Sequence, residues 1–451
     1  MKRIAKILAV ALSLTGIISS DIQANSAIYA CGHIRRQREK AIPALKNSGY
    51  TTAIIFNVTV ESDGTLTTDY DWGNQRPAEA GGVICRDGKY VFDSYQPHFI
   101  SDVKSLLEAP TSISRIEFCI GGWGNGSYGN IKRLIDTQGT SGESVLYRNF
   151  KALKEAIPEV IAVNNDQEQD YDVAAATAFH LMLADIGYKT TIAPYTQKNF
   201  WQQLVANLNA DSEICDLVYL QTYGGGANNN PNDWKVFGKI PMYVGYDNES
   251  SNDINAMIGK FTNWRDNTGA TGGFIWNYNN ENYNLNEWAT AINRVFPPVT
   301  VENPVATVYS QANFTGIASQ LPVGEFSQGE MSLYGIQARE AASVELADGY
   351  QITLYSGESL YGNLMTFTET TANTNQSWRS KACSLKVEPI AGAVDRIQPQ
   401  PFRPVEVYDI SGRRVLEATT SASACELVRS SRLPAGIYIV KEGAVTFKVV
   451  K

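Results

Sequence analysis

From about residue 27 to about residue 298 the chain keeps a two-part rhythm, with short β-rich runs alternating with amphipathic helical stretches. Ile28–Cys31, Ala53–Val60, Arg115–Gly121, Val160–Asp166, Thr190–Ala193, Leu217–Thr222, Met242–Gly245 and Gly273–Trp276 read as strands. Helical spacing is clearest at Val173–Ile186, Phe200–Leu208 and Asn252–Asp266. Eight strands in this order over about 270 residues are what a (β/α)8 TIM barrel requires. A doubly wound open sheet is the alternative, but no Gly-rich phosphate loop follows the first strand.

The charge balance narrows the partners. The 38 Lys and Arg stand against 46 Asp and Glu, a net charge of −8, and no basic stripe is clustered to neutralise phosphates. A nucleic-acid partner is therefore not expected. The 23 Tyr, 16 Phe and 8 Trp are core material first, and they are also the side chains that stack on sugar faces.

Met1–Lys6 is basic, Ile7–Ile18 is largely apolar, and Ser19–Ala24 turns polar and ends on a small residue. That is the layout of a secretory signal peptide, too short for a stable membrane span. A cut after Ala24 leaves 35 basic against 45 acidic residues; a second possible cut follows Ala27. No other stretch is apolar enough to span a bilayer, so export of a soluble chain is expected. The six cysteines form no CxxC, and His33, His98 and His180 lie far apart, so neither a zinc site nor any cofactor is expected. Cys31, Cys119 and Cys215 fall in or beside apolar runs, where a thiol packs as a small hydrophobe. Nothing in the sequence fixes an oligomeric state.

Phe296–Val299 and Asn303–Pro304 read as a linker, after which the texture is all-β and repeats. Val308–Gly316 recurs as Leu354–Gly362 at an offset of 46, and Ala342–Leu346 recurs as Cys383–Val387. Two copies of Tyr-x4-Phe/Leu-x-Gly followed by a late Ser resemble the paired Greek-key motifs of a βγ-crystallin domain, over about residues 305–390. That family often binds calcium through an Asn/Asp-rich stretch. Here Ala338–Ser343 and Arg379–Ser384 stand in its place, with Arg339 and Arg379 where oxygen ligands are needed, so no calcium site is expected. Beyond a second Pro-containing linker, Val405–Val415 and Leu433–Lys441 resemble the C-terminal sorting domain of a Gram-negative outer-membrane export system. The expected order is a signal peptide at 1–24, a barrel at 25–298, the crystallin-like domain at 305–390 and a small β-sandwich-like domain at 403–451.

The chemistry concentrates on the fourth strand. Val160–Asn165 leads into Asp166-x-Glu168, and residues two apart on a strand share a face. Two carboxylates held together disfavour joint ionisation, which keeps a proton available for a general acid. The barrel resembles glycoside hydrolase family 18, the chitinases and endo-β-N-acetylglucosaminidases. That family's fourth strand carries Asp-x-x-Asp-x-Asp-x-Glu; Asp166 and Glu168 match its last two acids, while Ile161 and Asn164 depart at the first two. Its third strand ends in Ser-x-Gly-Gly, where Cys119-Ile120-Gly121-Gly122 stands. Gln221-Thr222-Tyr223 fits its sixth strand, and Gly272–Trp276 fits its eighth.

The resemblance implies a GlcNAc-containing glycan or glycoprotein as substrate, with Glu168 as general acid. The substrate's own 2-acetamido oxygen would be the nucleophile. Asp166 would hold the acetamido N–H, Tyr223 would orient its oxygen with Gln221 nearby, and Trp276 would stack under the ring. Asn164 cannot ionise where the family has an aspartate, which implies weaker activity or a shifted pH profile. Gly121, Gly122 and Trp123 belong to the same face. The loops Trp72–Asn74, Trp123–Tyr128 and Gly224–Asn230 carry aromatic and amide groups suited to carbohydrate. Two non-enzymatic alternatives stand beside this reading: a glycan-binding protein on an inactive barrel, and a surface protein acting through its crystallin-like domain.

Overall fold

The computed structural model describes residues 23–68, 82–278 and 283–390, together with 403–409, 413–420, 433–434, 436–442 and 445–450. The expected signal peptide (but for its last two residues), the Trp72–Asn74 loop, Cys425 and most of the second linker lie outside the described residues.

Eight parallel strands close into a ring: β1 Ser26–Ala30, β2 Thr52–Val60, β3 Arg115–Gly121, β4 Ala162–Asp166, β5 Lys189–Ile192, β6 Cys215–Leu220, β7 Met242–Asp247 and β8 Gly272–Tyr278. Each pairs with the next, and β8 returns to β1 with Ser26 opposite Gly273. The open-sheet alternative is thereby excluded.

The helices that back the ring include α1 Ser127–Gln138, α2 Val145–Ala156, α3 Val173–Ile186, α4 Lys198–Leu208, α5 Ile254–Thr268 and α6 Leu285–Val295. Four of them start where the sequence supplies a cap. Ser144, Asp172, Asp253 and Asn284 accept hydrogen bonds from the first-turn amides of α2, α3, α5 and α6. Gly187 and Gly269 end α3 and α5 in left-handed conformations that carry no penalty for glycine. Between β6 and β7 only two short 3-10 turns occur, Gly224–Gly226 and Pro231–Trp234. After β2 the chain makes short antiparallel strands (Leu66–Thr67, Val83–Arg86, Lys89–Tyr90) that the rhythm did not foretell.

Strand alternation divides the core. Ile116, Phe118 and Ile120 face the helices, while Cys119 joins Tyr29, Ile54, Phe56, Tyr219 and Phe274 inside the ring. No described helix is long and apolar enough to cross a membrane. The five described cysteines, Cys31, Cys85, Cys119, Cys215 and Cys383, are buried free thiols.

The all-β region has a three-stranded sheet (Thr315–Leu321, Ala306–Gln311, Ser343–Leu346) and a four-stranded one (Gly324–Phe326, Ser384–Pro389, Tyr350–Tyr355, Leu364–Phe367). The sequence repeat is a structural repeat. Ser343 Oγ donates to the Gln311 carbonyl at 2.7 Å and accepts from the Phe314 amide at 3.1 Å. Ser384 Oγ does the same with Gly357 and Leu360, at 2.6 and 2.8 Å. Gly316 and Gly362, at φ +79° and +87°, occupy matching places where a Cβ would lie 2.4 and 2.6 Å from the Ser310 and Ser356 hydroxyls. Asn293 on α6 donates to the Ser332 carbonyl at 3.1 Å, and Arg294 pairs with Glu340 at 2.8 Å, tying this region to the barrel. The C-terminal segment is a separate antiparallel sheet of four strands, Arg414–Thr420, Arg403–Asp409, Ile437–Glu442 and Val445–Val450.

Candidate active site

The strand ends of the ring converge on a cavity of about 370 Å³ lined by Phe56, Gly122, Trp123, Asp166, Glu168, Tyr195, Gln221, Tyr223, Gly224, Gly225, Asp247 and Trp276. Asp166 is the last residue of β4. Glu168 does not continue that strand, as the sequence had suggested; it is reached through a turn. The Gly122 amide donates to the Asp166 carbonyl at 2.7 Å, and the Gln167 amide donates to Asn165 Oδ1 at 3.0 Å. Gln167 Nε2 closes the turn onto the Asp170 carbonyl at 2.8 Å.

Gly121 explains itself at close range. Its φ is +111°, and a Cβ there would sit 2.2 Å from the Asp166 carbonyl oxygen. Only glycine lets β3 pass so near the carboxylate strand.

Asp166 is 3% exposed, and Gln221 Nε2 donates to its Oδ1 at 2.9 Å. Burial, then repulsion from Glu168, pushes the Asp166 carboxyl well above the ordinary range, with Gln221 partly offsetting both. Burial raises Glu168 to about 7, again against the Gln221 amide. One proton held at this pair near neutral pH is what general acid catalysis asks for. The Tyr223 phenol is raised by burial and by both carboxylates, so it stays a neutral donor.

Trp276 meets Phe56 edge-to-face at 4.9 Å, which fixes its ring plane at the cavity wall. Trp123 is 74% exposed at the mouth. Among the described residues no group of His, Cys, Asp and Glu is arranged to hold a metal ion.

Of the residues singled out in the sequence, Asp166, Glu168, Gln221, Tyr223, Trp276, Gly122 and Trp123 come together here. Gly121 stands behind the carboxylate. Asn164 lies below the cavity floor, accepting from the Tyr29 hydroxyl at 3.0 Å and donating to Thr191 Oγ1 at 2.9 Å. Phe56, Tyr195 and Asp247 were not foreseen; Asp247 ends β7 and Tyr195 lies just past β5, a place that was the available signal, whereas Phe56 lies in the middle of β2 and carried none.

No protein-family model matches the chain, and no curated protein matches it. Among solved structures the chain is similar to a βγ-crystallin domain from Flavobacterium johnsoniae, at 26% identity over 19% of this chain and 94% of that one, with a TM-score of 0.19. A βγ-crystallin domain from Clostridium beijerinckii matches at 20% identity over 18% of this chain and 95% of that one, TM-score 0.18. The N-terminal domain of Protein S matches at 20% identity over 19% and 97%, TM-score 0.18.

Proposed function

We propose that this chain is a secreted glycoside hydrolase of the family 18 type. It would cleave β-1,4 linkages next to N-acetylglucosamine, as an endo-β-N-acetylglucosaminidase or chitinase does. The observation that carries the reading is the meeting of Asp166 and Glu168 in an aromatic-walled cavity at the strand C-termini, with Glu168 raised to about 7. Glu168 protonates the glycosidic oxygen. The acetamido oxygen of the substrate attacks the anomeric carbon, so the nucleophile is already tethered and gains the effective molarity of an intramolecular reaction. Asp166 takes the acetamido N–H and balances the positive charge that develops, while the Tyr223 hydroxyl steadies the oxygen. Trp276 supplies the apolar face under the sugar.

The duplicated Ser-locked hairpins support a crystallin-like reading of the middle domain, which we assign to stabilising the barrel. The C-terminal sheet is assigned to sorting during export, following the signal peptide.

A digestion panel of chitin oligomers beside high-mannose and complex N-glycoproteins, read by mass spectrometry, tests the reading. Glu168→Gln is expected to lower turnover by at least about a hundredfold. Unchanged turnover removes Glu168 from the role of acid. Glycan binding by the wild type without any product over days favours the inactive-barrel alternative, for which the neutral Asn164 is the motivating observation.

A further inference from the structure

His180 lies on α3, is fully buried, and lines no part of the cavity. Its Nε2 is 3.0 Å from Asn165 Nδ2 and 3.3 Å from the Tyr128 hydroxyl, and its Nδ1 is 3.0 Å from Thr190 Oγ1. Asn165 sits between Asn164 and Asp166 on β4, so its side chain leaves the ring on the opposite face. Asn165 Oδ1 accepts from the Gln167 amide. A backbone amide only donates, so the Asn165 oxygen is turned toward Gln167 and its NH2 toward His180. Nε2 must therefore accept, and the neutral ring carries its proton on Nδ1, donating to Thr190. Burial keeps the ring neutral by pushing its pKa down to about 3.

The Gln167 amide immediately precedes Glu168. We propose that His180 is a positioning residue: as a neutral Nδ1–H imidazole it orients Asn165, whose amide oxygen caps the turn that aims Glu168 into the cavity. The chain of contacts runs from Thr190 on β5 through His180 on α3, Asn165 and the Gln167 amide to Glu168. The inference rests on Glu168 being the acid, and a small displacement of such a group is costly to rate while leaving substrate contacts in place.

The test uses the full chain and four variants: His180→Leu, His180→Gln, Asn165→Leu and Thr190→Val. His180→Leu is expected to lower kcat about tenfold to a hundredfold with KM within about twofold. Asn165→Leu should match it, and the double variant should be no slower than either single one, because both act through one contact. His180→Gln, whose amide oxygen reaches the place of Nε2, should restore most of the rate. Thr190→Val is nearly isosteric and should give a smaller loss.

A carbon-13 titration of the Glu168 carboxyl, identified by its absence in Glu168→Gln, gives a readout besides activity. It is expected to move down from about 7 in His180→Leu, as the carboxyl gains solvent. An unchanged kcat in folded His180→Leu, or additive losses in the double variant, overturns the inference. If His180→Leu does not fold, an unchanged rate and an unchanged Glu168 titration in Asn165→Leu and Thr190→Val overturn it equally. If the wild type cleaves no GlcNAc-containing glycan, the functional reading falls, and the carboxyl titration alone decides the positioning role.

Discussion

Glu117 and Asp166 are both buried carboxylates inside the same ring of strands, on neighbouring β3 and β4, yet their surroundings differ at every polar atom. Glu117 accepts from Arg115 Nε at 2.6 Å, from Thr191 Oγ1 at 2.6 Å and from the Tyr219 hydroxyl at 3.0 Å. Arg115 also forks onto Asp216 at 2.9 and 3.0 Å. Asp166 accepts from Gln221, and among the described residues no ion pair reaches it. A buried charge persists where a cation and hydrogen bonds replace its lost hydration, and otherwise the group is driven toward its neutral form. One end of the barrel interior therefore holds a carboxylate matched by a cation and two hydroxyl donors, and the other a carboxyl held toward its protonated form.

The sharpest way to break that contrast is to remove one partner at each end. Arg115→Met leaves Glu117 buried without its cation and should cost about 3–5 kcal/mol of unfolding free energy, measured by chemical denaturation. Asp166→Asn removes a buried carboxyl that has no cation and is already driven toward its neutral form, so stability should stay level or rise while activity falls. Equal losses at the two sites would show that the carboxylates are held alike.

Asn164 joins the two regions, because the Thr191 hydroxyl that accepts from it already donates to Glu117. Asn164→Asp puts a carboxyl in place of the amide, and so removes the donor to Thr191. The hydroxyl cannot donate in both directions, so the new carboxylate faces a lone pair and lies close to Asp166. The expected loss is about 1–3 kcal/mol at pH 8, shrinking at pH 5 where the new group is protonated. An equal loss at both pH values would mean that packing, not charge, sets the cost.

The barrel was legible because its strands are short and apolar, and because Gly, Asn and Asp punctuate them. The carboxylate pair was legible for a partly different reason from the one that operates. Spacing placed Asp166 and Glu168 on one strand face, whereas β4 ends at Asp166 and the turn through Gln167 delivers Glu168. Turns of this kind depend on a partner far along the chain, here His180, which the sequence showed only as one of three scattered histidines. Phe56, Tyr195 and Asp247 escaped for a related reason. A strand's existence follows from composition, but which of its residues, or of those just beyond it, reaches the mouth depends on register with its neighbours. The Glu117 cluster was invisible because Arg115, Glu117, Thr191, Asp216 and Tyr219 meet only once the ring closes.

The smallest expected effect is the pH dependence of stability at the upper pair, since Glu168 keeps some contact with solvent. Its carboxyl moves from an ordinary 4.5 to about 7 on folding. Between those values the folded chain holds more protons than the unfolded one, so stability falls as pH rises. That contribution is fully present below about 4.5 and is lost as pH passes about 7. In Glu168→Gln the proton cannot leave, and the melting temperature should vary less from pH 5 to pH 8 than in the wild type. Turnover by the wild type should decline over the upper half of the same window, because the acid form is the one consumed in the first step. Wild-type and Glu168→Gln melting curves that shift in parallel with pH would place the titrating group elsewhere, and would leave Asp166 as the site of the retained proton.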